Sequence, residues 1–212
     1  MLEIQGSVRD GLDAPYGATA VLERATLAAI AQANEAFLVL IGCGAGEPGA
    51  SSLGLDAAIA ARVRELAPAE RARAAACPYT LFNLRFEDAG FWRAQLAAAD
   101  APPAAPAARL EFARTAVFLA WHLAHSHGLA AALVLGMSAD VQRAWRALPL
   151  SVLEGASQRV QRHLTARFGS YPSFWQRLLG GEGSAAPAAA ESARLHGLQL
   201  LAGGGAWPGA RA

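Results

Sequence analysis

At 212 residues the chain has room for one domain, or two small ones, with a real core. Its 18 basic residues, all arginine, meet 17 acids for a net charge of +1, which excludes a global electrostatic argument for nucleic acid or membrane. Cys43 and Cys77 lack CxxC spacing, which speaks against structural zinc and predicts reduced thiols in a cytoplasmic protein.

Residues 1–19 read as an irregular lead-in. They carry Glu3, Arg9, Asp10 and Asp13 and no apolar core, which does not fit a signal peptide. No later stretch reads as an apolar run long enough, without charges or helix breakers, to cross a membrane, so no membrane contact is expected. Residues 20–41 predict a helix: Val21, Leu22, Ala25, Ala28, Phe37, Leu38 and Ile41 share a face apart from Glu23, Arg24, Gln32 and Glu35.

Glycines follow. FLVLIGCGAGEPG (37–49) places Gly44, Gly46 and Gly49 as GxGxxG after an apolar run. That spelling fits the cofactor loop of a Rossmann-like methyltransferase using residues 42–49, and it equally fits the end of a helix. A dinucleotide fold needs a second strand and an acid about 20 residues on, and here a helix follows instead. That helix spans 55–75, with Asp56 as N-cap and a break at Ala67-Pro68. TLFNLRF (80–86) alternates as a short strand or forms a loop, and 88–99 is a short helix.

Residues 100–108, DAPPAAPAA, form a Pro/Ala linker. Helices are predicted over 109–134, 138–147, 150–165, 173–179 and 188–202. The stretch 180–187 reads as flexible and 203–212 as a disordered tail.

The linker divides a repeat. Leu53-Gly54 matches Leu135-Gly136, Leu66 matches Leu148 and Arg85-Phe86 matches Arg167-Phe168, each 82 residues apart; Phe91-Trp92 matches Phe174-Trp175 at 83. Aromatic residues are scarce here, so the agreement marks a duplication: unit one over 20–99 and unit two over 109–202. Unit two has no GxGxxG before its Leu-Gly, which assigns Phe37–Ile41 to a helix and the glycines to its closing turn.

Each unit resembles FlhD, the small helical subunit of the bacterial flagellar transcriptional activator. Unit one carries Asn34, Phe37, Leu38 and Leu40 in NEAFLVL, then Leu53-Gly54-Leu55, Leu66 and LRFED (84–88). Unit two carries LAWHL (119–123), Leu135-Gly136-Met137, LPLS (148–151), ARFGS (166–170) and a tail, SARLHGLQLLA (192–202), similar to the family's last helix. The likeness runs over about residues 25–202. It departs in the shortened glycine turn, in Gly169-Ser170 where acids are expected, and in Asn83 and Thr165 near the place of a family cysteine. Family chains are roughly half this length and dimerise. The resemblance therefore implies an all-α fold in which two FlhD-like units in tandem form an intramolecular pseudo-dimer. It also implies a non-enzymatic transcription regulator that needs no cofactor, binds an FlhC-like zinc-bearing partner and contacts DNA. A helical adaptor of a secretion or motility apparatus, without DNA binding, is the second expectation.

Candidate chemistry is sparse. His122 and His125 lie i,i+3 in WHLAHSH with His127 beside them; they could share a metal or finish a helix end. Glu87-Asp88 beside Arg85 could be an acid pair, or a helix N-cap with an ion pair, and the second is favoured because unit two lacks both acids. There is no GxSxG nucleophile, so catalytic and metal residues are expected to be absent. Arg143 with Arg146, and Arg159 with Arg162, each share a helix face and are the nucleic-acid-binding candidates, in a set that also includes Arg167 and Arg177. Arg62, Arg64, Arg71 and Arg73 make a similar stripe in unit one, interrupted by Glu65 and Glu70. Phe86, Phe91, Trp92, Phe168, Phe174 and Trp175 are expected to anchor the core or the contact between units.

Overall fold

The computed structural model describes residues 23–44, 53–98, 106–180 and 186–202. The lead-in, Gly46, Gly49, most of the linker and the C-terminal tail lie outside the described residues. Among the described residues the chain is all-α apart from one two-stranded ladder. In order come α1 (Arg24–Gly44), α2 (Ala57–Glu65), α3 (Pro68–Ala75), β1 (Phe82–Asn83), α4 (Ala89–Ala97) and α5 (Ala107–Ser126). Then follow α6 (Gly128–Leu135), α7 (Ala139–Arg146), α8 (Leu153–Val160), β2 (Thr165–Ala166), α9 (Pro172–Leu179) and α10 (Ala186–Ala202). Single 3-10 turns, Leu150–Val152 and Gln161–His163, flank α8.

Local chemistry sets many of these boundaries. Asp56, Asp88 and Ser138 accept a hydrogen bond from the first turns of α2, α4 and α7, satisfying amides that have no partner inside the helix. Pro68 and Pro172 open α3 and α9, where a missing N–H costs nothing. Gly136 closes α6 with φ +69°, a left-handed cap that any side chain would strain.

Three expectations need correction or narrowing. The helix predicted over 109–134 begins at Ala107 and is broken at His127, where the backbone turns to φ −145°, ψ 70°. At that break α7 meets the end of α5: Arg146 Nε donates 2.8 Å to Ala124 O, a carbonyl that a continued helix would pair with Gly128 N–H. The stretch 80–86, expected as a short strand or a loop, is a strand only at Phe82–Asn83, paired with β2. Finally, Arg24–Cys43 is long and apolar enough, by length and composition, to cross a membrane. In the fold it is a packed helix with Ile30, Phe37, Leu38 and Ile41 buried.

Helix α1 packs on α2, α3 and α5, and α5 packs in turn on α6, α7 and α8. The ladder pairs Asn83 with Thr165 and Phe82 with Ala166, antiparallel. Helix α4 lies on α7 and α8, whereas α9 lies on α2 and α3. Phe37, Phe82 and Phe112 meet at ring distances of 4.9–5.8 Å where α1, α5 and β1 join. One polar side chain is locked into this core. Fully buried Asn34 donates from Nδ2 to Ala75 O (3.0 Å) and Tyr79 O (2.9 Å), and its Oδ1 accepts from Leu81 N–H (2.8 Å). It thereby fixes the turn leading into β1.

Candidate functional site

The six aromatic anchors occupy two buried clusters. Trp92 stacks on Phe86 (5.9 Å, planes 6° apart) and meets Trp145 of α7 edge-on at 4.6 Å. Phe91 touches Trp92 on one side and His163 at 4.9 Å on another. In the second cluster Phe168 lies between Tyr79 and Phe174, Phe174 touches Trp175, and Trp175 Nε1 donates to Arg167 O. Only Phe91, at 9%, and Phe168, at 7%, retain noticeable exposure.

The four arginines read as a phosphate-binding surface are placed unequally. Arg146 is spent on Ala124 O at the end of α5, and Arg159 Nε donates 2.6 Å to Gln95 O at the end of α4. Both act as cations capping helix C-termini, where carbonyls have no intrahelical partner. Arg143 is exposed and pairs loosely with Asp140 at 3.3 Å. Arg162 is exposed and donates 3.1 Å to His163 Nε2. Arg167 is not a surface arginine at all: its guanidinium is buried and donates to Val134 O and Thr80 Oγ1 (3.2 Å). Burial pulls its pKa down to about 10, against weaker support from Glu87 and Tyr79, and it stays charged at neutral pH. Gly136 is needed here a second time, because a Cβ there would strike this guanidinium.

The histidines do not converge on a metal. His125 Nδ1 is bonded to Trp121 O (2.9 Å) and His122 neighbours Ser126, and no group of three or more metal-binding side chains occurs among the described residues. Glu87 accepts from Asn83 Nδ2 (3.3 Å), while Asp88 caps α4 and pairs with Arg85. Phe37–Ile41 lies inside α1, so a helix stands where a cofactor loop would need a strand. A cavity of about 300 Å³ between α2 and α9 is lined by Ile59, Leu179, Gln176, Asp56 and Arg62. Its charged groups are committed: Asp56 to Ala58 N–H, and Arg62 to Gly180 O and Glu70.

Two features escaped the sequence. Tyr79, its hydroxyl driven far up in pKa mainly by burial, donates to Arg194 O (3.1 Å) on α10. Gly197 permits this approach, since a Cβ there would run into the Tyr79 hydroxyl and reach Phe174 at 3.1 Å. A glycine inside a helical run was the visible signal of a close contact.

What remains is a cationic seam along α4 and the turn after α8. Arg85 lies 4.5 Å over the Phe91 ring and His163 packs on the same ring, while Arg162 donates to His163 Nε2 and Arg159 to Gln95 O on α4. Burial, then Arg162, Arg85 and Arg109, all push the His163 pKa below its usual 6.5. Asp88 and Glu154 are held below the usual carboxylate range, chiefly by the Phe91 amide and by Arg114 respectively. The unfolded chain therefore binds more protons than the folded one from about pH 6.5 downward, first at His163 and then at the carboxylates. Stability should fall as pH drops, and urea midpoints should show His163→Gln removing the part of the loss that sets in first, from about pH 6.5; an unchanged profile in that variant would refute the assignment. Comparison with protein-family models, curated proteins and solved structures gives no match.

Proposed function

We propose that the chain is a covalent pseudo-dimer of two FlhD-like units and serves as a non-enzymatic transcription regulatory subunit. It would act through protein–protein contacts, with DNA as a second contact. The observation that carries the pairing is the crossed packing: α4 of unit one lies on α7 and α8 of unit two, and α9 of unit two lies on α2 and α3 of unit one. Supporting details follow the same two-fold pattern. Asn83 pairs with Thr165, its own equivalent 82 residues on. Gly54 and Gly136 are both left-handed at the same offset, and Arg85 and Phe168 are both left-handed (φ 59°) at an offset of 83.

The pairing is tested by placing a protease site in the 100–105 linker and cutting it. The two fragments should comigrate as one particle without denaturant; separation would refute the pseudo-dimer. The regulatory role is tested by co-expression with an FlhC-type subunit, which should yield a stable complex. A chain that binds neither that subunit nor duplex DNA at low salt would overturn it. The adaptor reading, without DNA, is supported by the capping roles of Arg146 and Arg159 and the burial of Arg167. A gel-shift assay on Arg143→Ala/Arg162→Ala separates the two: DNA binding that these changes abolish favours the regulator.

A further inference from the structure

Helix α10 is seated with its small side chains inward. It packs chiefly on α9, burying Ala190, Ala193 and Gly197, while Leu195 (54%) and Leu198 (43%) face outward. Burial stabilises a helix in proportion to the apolar area it covers, and this seat covers alanine and glycine where two leucines stay exposed. Gly197 weakens the helix further, since glycine in a helix interior is less favourable than alanine. The Tyr79 hydroxyl requires it, because a Cβ at that position would strike the phenol.

The polar contacts at this seat are few and incomplete. Tyr79 donates to Arg194 O (3.1 Å), and Arg194 donates to Arg73 O (2.7 Å). Arg194 Nε and His196 Nδ1 are buried with no hydrogen-bond partner among the described residues. A buried polar atom left unpaired works against the closed seat, and lifting the helix returns both atoms to water. The connection from α9, residues 181–185 (GEGSA), has no apolar side chain larger than alanine with which to anchor the helix.

The floor beneath α10 is built from other contacts. Phe168 packs between Tyr79 and Phe174, Trp175 Nε1 donates to Arg167 O, and Asn34 holds Tyr79 O. None of these involves α10, so the floor keeps its shape without it. Cys77 lies at its edge, 2% exposed, with Arg194 and Glu191 of α10 as charged neighbours.

We infer that α10 is a releasable clasp, which unseats as a unit while the rest of the chain stays folded and so uncovers the Tyr79–Phe174 face and the Cys77 thiol. Its hydrogen bonds reach back past the linker to Tyr79 and Arg73, so the clasp ties the two halves of the sequence together when closed. The inference is independent of the regulatory role proposed above.

Hydrogen exchange of the full chain, read by mass spectrometry on peptic fragments, tests it. Amides of α10 should exchange at least about a hundredfold faster than those of α5, with little dependence on low urea. Cys43 is exposed, and Cys43→Ser leaves Cys77 as the one thiol. In that background iodoacetamide should label Cys77 well below the urea concentration at which tryptophan fluorescence reports unfolding. Gly197→Ala, which forces α10 and Tyr79 apart, should speed the labelling roughly tenfold. Circular dichroism checks the fold of that variant, and the exchange measurement needs no variant at all. Equal protection of α10 and α5 would overturn the clasp. So would Cys77 labelling that tracks global unfolding, or labelling unchanged by Gly197→Ala in a folded chain.

Discussion

Asn34→Ala should destabilise the fold by about 3–5 kcal/mol, which would appear as a lowered urea midpoint at unchanged slope. From α1, Asn34 bonds three backbone groups of the 75–81 turn, and its side chain is completely buried. Removing it strands the Leu81 amide and the Tyr79 carbonyl where water does not reach, and each such group costs about 1–3 kcal/mol. Ala75 O suffers less, because Cys77 N–H also donates to it (2.8 Å). Asn34→Asp separates the contributions: it keeps the acceptor for Leu81 and loses both donors. A loss below about 1 kcal/mol for the alanine variant would show that the turn is held by packing alone.

The second large effect is expected at Trp92. Truncation to alanine empties the contact among Phe86, Phe91 and Trp145 and should cost about 3–5 kcal/mol. Among the described residues neither Trp92 Nε1 nor Trp145 Nε1 has a hydrogen-bond acceptor. Trp92→Phe therefore sacrifices volume but no hydrogen bond, and should cost clearly less than alanine. Because Trp92 and Trp145 touch at 4.6 Å, their alanine variants should be non-additive in a double-mutant cycle. Additive losses would mean that the two rings serve separate cores.

Residues near in sequence declared themselves; residues that act across the fold did not. Asp56 and Asp88 were legible as helix caps because a cap is a local contract between a side chain and amides two or three residues on. The ends of α2, α4, α7 and α9 follow similarly from proline, glycine and periodicity. The break at His127 was illegible because the group that takes up the freed Ala124 carbonyl, the Arg146 guanidinium, arrives from another helix. The same holds for the arginines. An i,i+3 pair looks like a free cationic face until the carbonyl of Gln95, 64 residues from Arg159, claims one of its donors. Arg167 looked like its neighbours in sequence, and only the arrangement of Gly136, Val134 and Thr80 around it reveals a buried cation. Asn34 stood out as a position of the resembling family, but its partners lie 41–47 residues away and gave it no local signature.

The crossing of α4 and α9 also governs the order in which the chain can fold. As it leaves the ribosome, the apolar side of α4 is complete at Ala97, yet its seat on α7 and α8 is not made until Val160. The matching faces of α2 and α3 wait still longer, for α9 at Pro172–Leu179. A nascent chain of this design carries the Phe91 and Trp92 side chains of α4 unseated until α8 is made, and its last closures join distant segments.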